Sequence, residues 1–304
     1  MIYTMTLNPA LDYVMHPLTL DMGFTNRSSN EELHCGGNGI NISTLLNELD
    51  VPSIAMGIAA GFTGDYLLRR LQEKGIASNF VILDRGYTRI NVKLKADCES
   101  EINGQGPAIS KEHLQQLFDK LQKLQEGDVL VLAGSIPGSL PSDIYEKNMQ
   151  QLQGRQIMVV VDATRELLCN VLKYKPFLIK PNHIELGEIF GVELQNDQQI
   201  REYAGKLQER GARNVLVSMA GAGAILLDEN GGFHRIAAPK GTVKNSVGAG
   251  DSMVAGFLAG YLQSGDYGVA LKMGTATGSA TAFSEGLATK PEAQALFDAL
   301  CENE

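Results

Sequence analysis

Residues 128–162 read DVLVLAGSIPGSLPSDIYEKNMQQLQGRQIMVVVD, and every position of VLVLA (Val129 to Ala133) and IMVVV (Ile157 to Val161) within it is apolar. Strands apolar on both alternating faces belong in the middle of a sheet that helices cover on each side. Between them, Ser142 to Leu152 carries helical spacing, so the unit is strand, helix, strand, and it predicts a parallel α/β core. The pattern extends both ways. Upstream it predicts a helix from Ile40 (Ile42, Leu45, Leu46, Leu49), a strand at Ser53 to Gly57, and helices near Asp65 to Lys74 and Lys111 to Leu124. Extended runs are expected at Asn79 to Leu83 and Arg89 to Lys95. Downstream, helices are expected near Arg165 to Leu172, Ile184 to Phe190 and Gln198 to Arg210, strands at Asn214 to Ser218 and Ala224 to Asp228, and three closing helices.

The amino-terminal strands, Ile2 to Leu7, Tyr13 to Leu20 and Ser29 to His34, read as peripheral. Segments 12–34 and 85–103 break the alternation and are too polar for a central sheet, which predicts a small flap over one edge, in effect a lid. No linker, repeat or low-complexity stretch divides residues 1–304, so a single domain with that insertion is expected.

The 304 residues, 44% hydrophobic, suffice for a sizeable core, and 26 Lys+Arg against 35 Asp+Glu (formal charge −9) argue against nucleic acid as the main partner. Cys35, Cys98, Cys169 and Cys301 form no C-x-x-C pair and stand at no metal-ligand spacing from the histidines, which predicts free cytosolic thiols. The opening MIYTMTLNPALD lacks a basic leader, and no run of about 18 apolar residues occurs, so a cytoplasmic protein is expected, neither exported nor membrane-spanning.

Chemistry concentrates in NSVGAGDS, Asn245 to Ser252. Gly248 and Gly250 permit close backbone approach, and the free amides of a helix start attract an anion, with phosphate the obvious guest. Asp251 beside them could take a proton from an attacking hydroxyl; equally, it could be a first-turn acid favoured by the helix dipole. Neither G-x-x-x-x-G-K-[ST] nor G-x-G-x-x-G after a strand occurs, which excludes a P-loop and the common dinucleotide site. Polar and glycine clusters instead fall at the ends of expected strands, where open α/β sheets bind ligands. They are NPALD (8–12), CGGNGIN (35–41), TRINVKL (88–94), AGSIPG (133–138), KPNHIE (180–185), SMAGAGA (218–224) and NSVGAGD.

In that order and spacing the clusters resemble the PfkB, or ribokinase-like, family of carbohydrate kinases, from TLNPALD at residue 6 to the helices after residue 266. GFTNR (23–27), TRINVKL and EINGQGP (101–107) resemble its phosphofructokinase and tagatose-phosphate kinase branch more than ribokinases or adenosine kinases. The resemblance implies a three-layer α/β/α core with a mainly parallel sheet and a small β-sheet lid. It implies ATP and Mg²⁺, and transfer of a phosphoryl group onto a ketohexose monophosphate. Fructose 1-phosphate is the first expectation, tagatose 6-phosphate or fructose 6-phosphate the alternatives. A sensor of sugar phosphate and nucleotide that has lost turnover is the rival without catalysis.

By resemblance Asp251 is the base, and the amides of Gly248, Ala249 and Gly250 hold charge on the transferring group. Lys180 meets nucleotide phosphate, while Asn182 and Glu185 hold Mg²⁺ through water; the pair could also simply cap a helix. Ser218, Gly221 and Gly223 line the nucleotide site, or form only a turn between strands. Ser284 stands where relatives often carry asparagine. For the sugar, Asp12 binds hydroxyls, Gly36, Gly37 and Gly39 let the chain pass close, and Asn41 reads the substrate. Arg89, with Asn91 on the same strand face, offers a guanidinium to the substrate phosphate, and Ser135 adds a hydroxyl. Many relatives carry lysine where Asn38 stands, so Lys93 or Arg27 must replace that charge, or the preferred sugar phosphate differs. Exposed lid edges predict a homodimer through 12–34 and 85–103.

Overall fold

The computed structural model describes residues 1–96 and 98–302, without the side chain of Arg165. Its strands, in chain order, are β1 (Ile2–Thr6), β2 (Ala10–Pro17), β3 (Ser28–Gly36), β4 (Ser53–Ala60), β5 (Ala77–Leu83), β6 (Arg89–Lys95) and β7 (Glu99–Asn103). They continue with β8 (Val129–Ala133), β9 (Met158–Asp162), β10 (Leu178–Ile179), β11 (Asn214–Ser218), β12 (Ala224–Leu227) and β13 (Phe233–Ile236). Polarity sorts them into two sheets. The larger has nine strands in the order β13-β12-β11-β10-β9-β8-β1-β4-β5, parallel from β5 through β11, with β12 antiparallel to both its neighbours.

The apolar run in β8 splits between two cores. Leu130 and Leu132 join Val159 and Val161 beneath α3 (Lys111–Leu121), α4 (Ile144–Leu152), α5 (Arg165–Val171), α6 (His183–Phe190) and α7 (Asp197–Glu209). Val129, Val131 and Val160 face the opposite layer, built from α1 (Asn38–Glu48), α8 (Ala249–Ser264), α9 (Tyr267–Phe283) and α10 (Lys290–Glu302). On that side α2 (Gly61–Glu73) shares a smaller cluster with Ile40 of α1 and with β4. Helices α8 and α9 pack backbone to backbone: a β-carbon at Gly256 would lie 2.5 Å from Thr277 Oγ1 and 2.6 Å from Met273 O.

Strand β1 corrects the expectation of a peripheral start, for it lies between β8 and β4 in the interior of the sheet. Its polar residues are buried. Thr4 and Thr6 are 0% and 3% exposed, and their hydroxyls are satisfied inside: Thr4 Oγ1 lies 2.7 Å from Ser43 Oγ, and Thr6 Oγ1 accepts the Ile40 amide at 3.1 Å. Two strands were not foreseen. β10 has only two residues, too few for a pattern, and β13 reads FHRI, whose polar positions hide a strand paired with β12.

The second sheet runs β3-β2-β6-β7, with β2 parallel to β6 and both outer pairs antiparallel. Register gives it two unlike faces. Asp12, Asn91, Lys93, His34 and Glu101 share one, and Tyr13, Leu33, Val92, Ile90 and Ile102 share the other.

Candidate active site

The parallel strands β8 to β11 end at one rim, and the chain leaving each contributes to a cavity of about 1040 Å³. Ser135 follows β8, Asp162 ends β9, Lys180, Asn182 and Glu185 follow β10, Ser218 ends β11, and Asn38, Gly248, Gly250 and Asp251 close it from the helices above.

Asp251 occupies the third position of α8, whose N-cap Gly248 has φ of +80°, a torsion a β-carbon disfavours. Here the residue is 5% exposed and its Oδ2 accepts a hydrogen bond from Asn41 Nδ2 at 2.8 Å. Burial first, then the negative charge of Asp162, push the Asp251 carboxyl up to about 7, against the opposing pull of Asn41, Lys180 and Asn38. A carboxylate poised there is matched to taking a proton near neutrality. The Ala249 amide bonds Ser246 O at 3.2 Å, so it is spent within the turn.

Lys180 is 7% exposed and pairs with Asp162 Oδ1 at 3.2 Å. Burial disfavours its charge, but Asp162, Asp251 and Glu185 outweigh that and raise its pKa, so the buried cation is sustained by the acids around it. Sequence reading passed over Asp162. Its signal was available: an acid closing an otherwise apolar central strand, at the end where ligands bind.

Asn182 and Glu185 form a capping box at the start of α6, each side-chain oxygen accepting the other's backbone amide at 2.8 Å. Both still line the cavity, so capping and ligand contact are compatible. Gly221 and Gly223 lie in the β11–β12 turn, away from this cavity's lining. Gly223, with φ of +97°, is required by the turn itself, because a β-carbon would come 2.0 Å from Ile236 O. Ser284 bonds Ala280 O and Glu292.

A second cavity of about 360 Å³ is lined among others by Asp12, Gly36, Asn41 and Lys93. Asp12 is held at both oxygens, by Asn91 Nδ2 at 2.7 Å and by Lys93 Nζ at 3.6 Å, and Lys93 also faces Glu101 at 3.4 Å. Gly36 is small because Asp12 lies over it, its would-be β-carbon 2.8 Å from Oδ2. Gly37 and Gly39 instead back onto β1. Arg89 spends Nε on Asn8 O at 3.1 Å and Nη1 on Gly104 O at 3.5 Å, and burial lowers its pKa against the pull of Asp12. Arg27 lies exposed in the β2–β3 connection. The Asn41–Asp251 bond joins the two cavities.

A large, mostly parallel sheet between helices, with a second, smaller sheet beside its ligand-binding rim, is the ribokinase-like fold. The chain belongs to the pfkB family of carbohydrate kinases, whose family model matches residues 5–294. It is 48% identical to the 1-phosphofructokinase of Bacillus subtilis over 98% of this chain and 97% of that one. It is 34% identical to the D-tagatose-1-phosphate kinase of Bacillus licheniformis, over 94% of each chain. The phosphofructokinase-2 of Escherichia coli, solved with fructose-6-phosphate, superposes with a TM-score of 0.91 at 25% identity, covering 99% of both chains. This chain is therefore an ATP-dependent sugar-phosphate kinase. Among the described residues no helix is long and apolar enough to cross a membrane.

Proposed function

We propose that the enzyme transfers the γ-phosphoryl group of ATP to the free primary hydroxyl of fructose 1-phosphate, giving fructose 1,6-bisphosphate and ADP. The observation that carries this is the placement of Asp251. It lies in the larger cavity with Lys180, and Asn41 ties it to the smaller cavity with Asp12. The nucleotide fills the larger cavity and the sugar the smaller, so donor and acceptor approach the carboxylate from opposite sides and the hydroxyl proton passes to it.

For the acceptor, the names of the two curated relatives share a ketohexose phosphorylated at C1, which favours a 1-phosphate over the 6-phosphates. Asn38 brings no charge, so another cation must hold that phosphate. We assign it to Lys93, which shares the cavity and the sheet face with Asp12, rather than to exposed Arg27. Arg89 adds its unspent guanidinium edge. Magnesium fits the oxygen donors of Asn182 and Glu185: among the described residues no three His, Cys, Asp or Glu cluster as a metal cage, and this ion draws most of its shell from phosphate and water. When bound, it neutralises charge on the transferring phosphate.

The second sheet acts as a lid that keeps water from the transfer. Its outer face, with Leu33 40%, Ile90 42% and Ile102 66% exposed, packs on a second copy to form a homodimer. The free thiols Cys35, Cys98, Cys169 and Cys301 fit the reducing cytoplasm.

The test is ADP release with Mg-ATP across fructose 1-phosphate, tagatose 1-phosphate, fructose 6-phosphate and tagatose 6-phosphate. Fructose 1-phosphate is expected to give the highest kcat/KM. A 6-phosphate in first place would overturn the acceptor assignment, and tight binding of both ligands without ADP release would replace the enzyme with a sensor.

A further inference from the structure

Helix α1 carries Asn38 and Asn41 into the site, yet its own sequence does not secure its start. The N-cap is Gly37, at φ of 125°, with no side chain to accept an orphan amide. The acceptor comes from another element. Thr6 Oγ1, at the end of β1, takes the amide hydrogen of Ile40 at 3.1 Å, between residues 3% and 1% exposed.

The same threonine sets the glycines of the loop. A β-carbon at Gly37 would stand 2.6 Å from Thr6 Cγ2, and one at Gly39 would stand 2.6 Å from Thr6 Oγ1 and 2.9 Å from Met5 O. The helix start is thus laid directly against the strand end. That strand end cannot yield, for Thr6 pairs with Gly57 of β4, and a β-carbon there would come 2.2 Å from Thr6 O. One turn along α1, Asn41 donates to Asp251.

We propose that Thr6 is a positioning residue of the acceptor site: its hydroxyl caps α1 from the neighbouring strand and so fixes Asn41 against Asp251. It touches neither substrate and acts only through the helix it holds. The inference rests on the function proposed above, with Asp251 as base and the sugar on the Asn41 side. Asn38 of α1 also borders the larger cavity, but that cavity's Lys180, Asn182, Glu185 and Ser218 stand on other elements, so nucleotide binding depends far less on Thr6 than the sugar side does.

Thr6→Val keeps the branched shape and removes the acceptor, while Thr6→Ser keeps the acceptor and removes a methyl. Three quantities are read: kcat/KM for the sugar phosphate, equilibrium ATP binding without sugar, and hydrogen exchange at the Ile40 amide. Thr6→Val is expected to lose about 10- to 100-fold in kcat/KM, the scale of a misplaced reacting group. ATP binding should stay within about twofold, Ile40 exchange should quicken, and Thr6→Ser should return activity to within about threefold of wild type. Thr6→Ala serves the same comparison if the valine variant does not fold. Unchanged kcat/KM in the variant lacking the hydroxyl, or a loss shared equally by ATP binding and not rescued by serine, overturns the proposal. Failure of the wild-type enzyme to turn over any ketohexose phosphate would instead overturn the function. The Ile40 exchange would still report whether the cap is real.

Discussion

Replacing Asp251 by asparagine should abolish turnover and, above neutral pH, make the unliganded protein more stable. The carboxyl is raised from its ordinary 3.8 to about 7 because burial and Asp162 both oppose its charge. A group raised in the folded state stabilises it when protonated; that contribution is complete below the unfolded pKa and disappears as pH rises through about 7. The span from 3.8 to about 7, at about 1.4 kcal/mol per pH unit, amounts to about 4 kcal/mol of lost stability once the carboxylate is ionised. Asparagine is neutral at every pH and nearly the same shape. Calorimetry of both proteins should therefore find equal stability near about pH 4. Near about pH 8.5 the asparagine variant should lead by up to about 4 kcal/mol, roughly 8 °C in Tm for a domain of this size. The same titration predicts that wild-type kcat/KM climbs with pH through about 7. A variant no more stable than wild type near about pH 8.5, or a difference independent of pH, would refute the reasoning, because the strain attributed to the buried charge would not exist.

Two further outcomes bear on the acceptor side and the assembly. Lys93→Met should raise the KM for the sugar phosphate by at least about tenfold, the scale of one lost charge-assisted contact, and leave the KM for ATP unchanged; steady-state kinetics with each substrate varied would check it, and equal effects on both would deny Lys93 that role. Ile102→Glu, which places a charge on the apolar outer face of the second sheet, should convert a dimer into a monomer in sedimentation at micromolar concentration, and a wild-type monomer there would remove the interface.

Much of the parallel core was legible because Val129 to Ala133 and Val159 to Val161 are apolar at every position, a pattern that few environments other than a central strand satisfy. The Gly-x-Gly-Asp helix start was legible as a candidate site because it is both a torsional and an electrostatic statement. What sequence hid was relational. Asp162 ends β9 and Lys180 follows the adjacent strand β10, so their ion pair has no sequence spacing to announce it. The glycines of residues 36–39 were expected to make room for a ligand; Gly37 and Gly39 also make room for Thr6, and Gly36 lines the smaller cavity. Nor does sequence show what lets Thr4 and Thr6 lie inside the sheet, because the hydroxyl that meets Thr4 and the amide that Thr6 accepts both come from α1.

The interior position of β1 has a consequence for the order in which the chain assembles. Taking that strand out of the sheet order leaves a six-stranded piece, β13 to β8, and a two-stranded piece, β4 and β5, with no ladder between them. The partners that β1 must find are residues 53–57 on one side and residues 129–132 on the other, so its second edge is closed only by a distant part of the sequence. Loop-closure entropy must be met before that contact rewards it, which places the joining of the two pieces late in folding. The strand whose last residue caps α1 is thus also the seam of the molecule, and the start of α1 takes its final place only when the seam shuts.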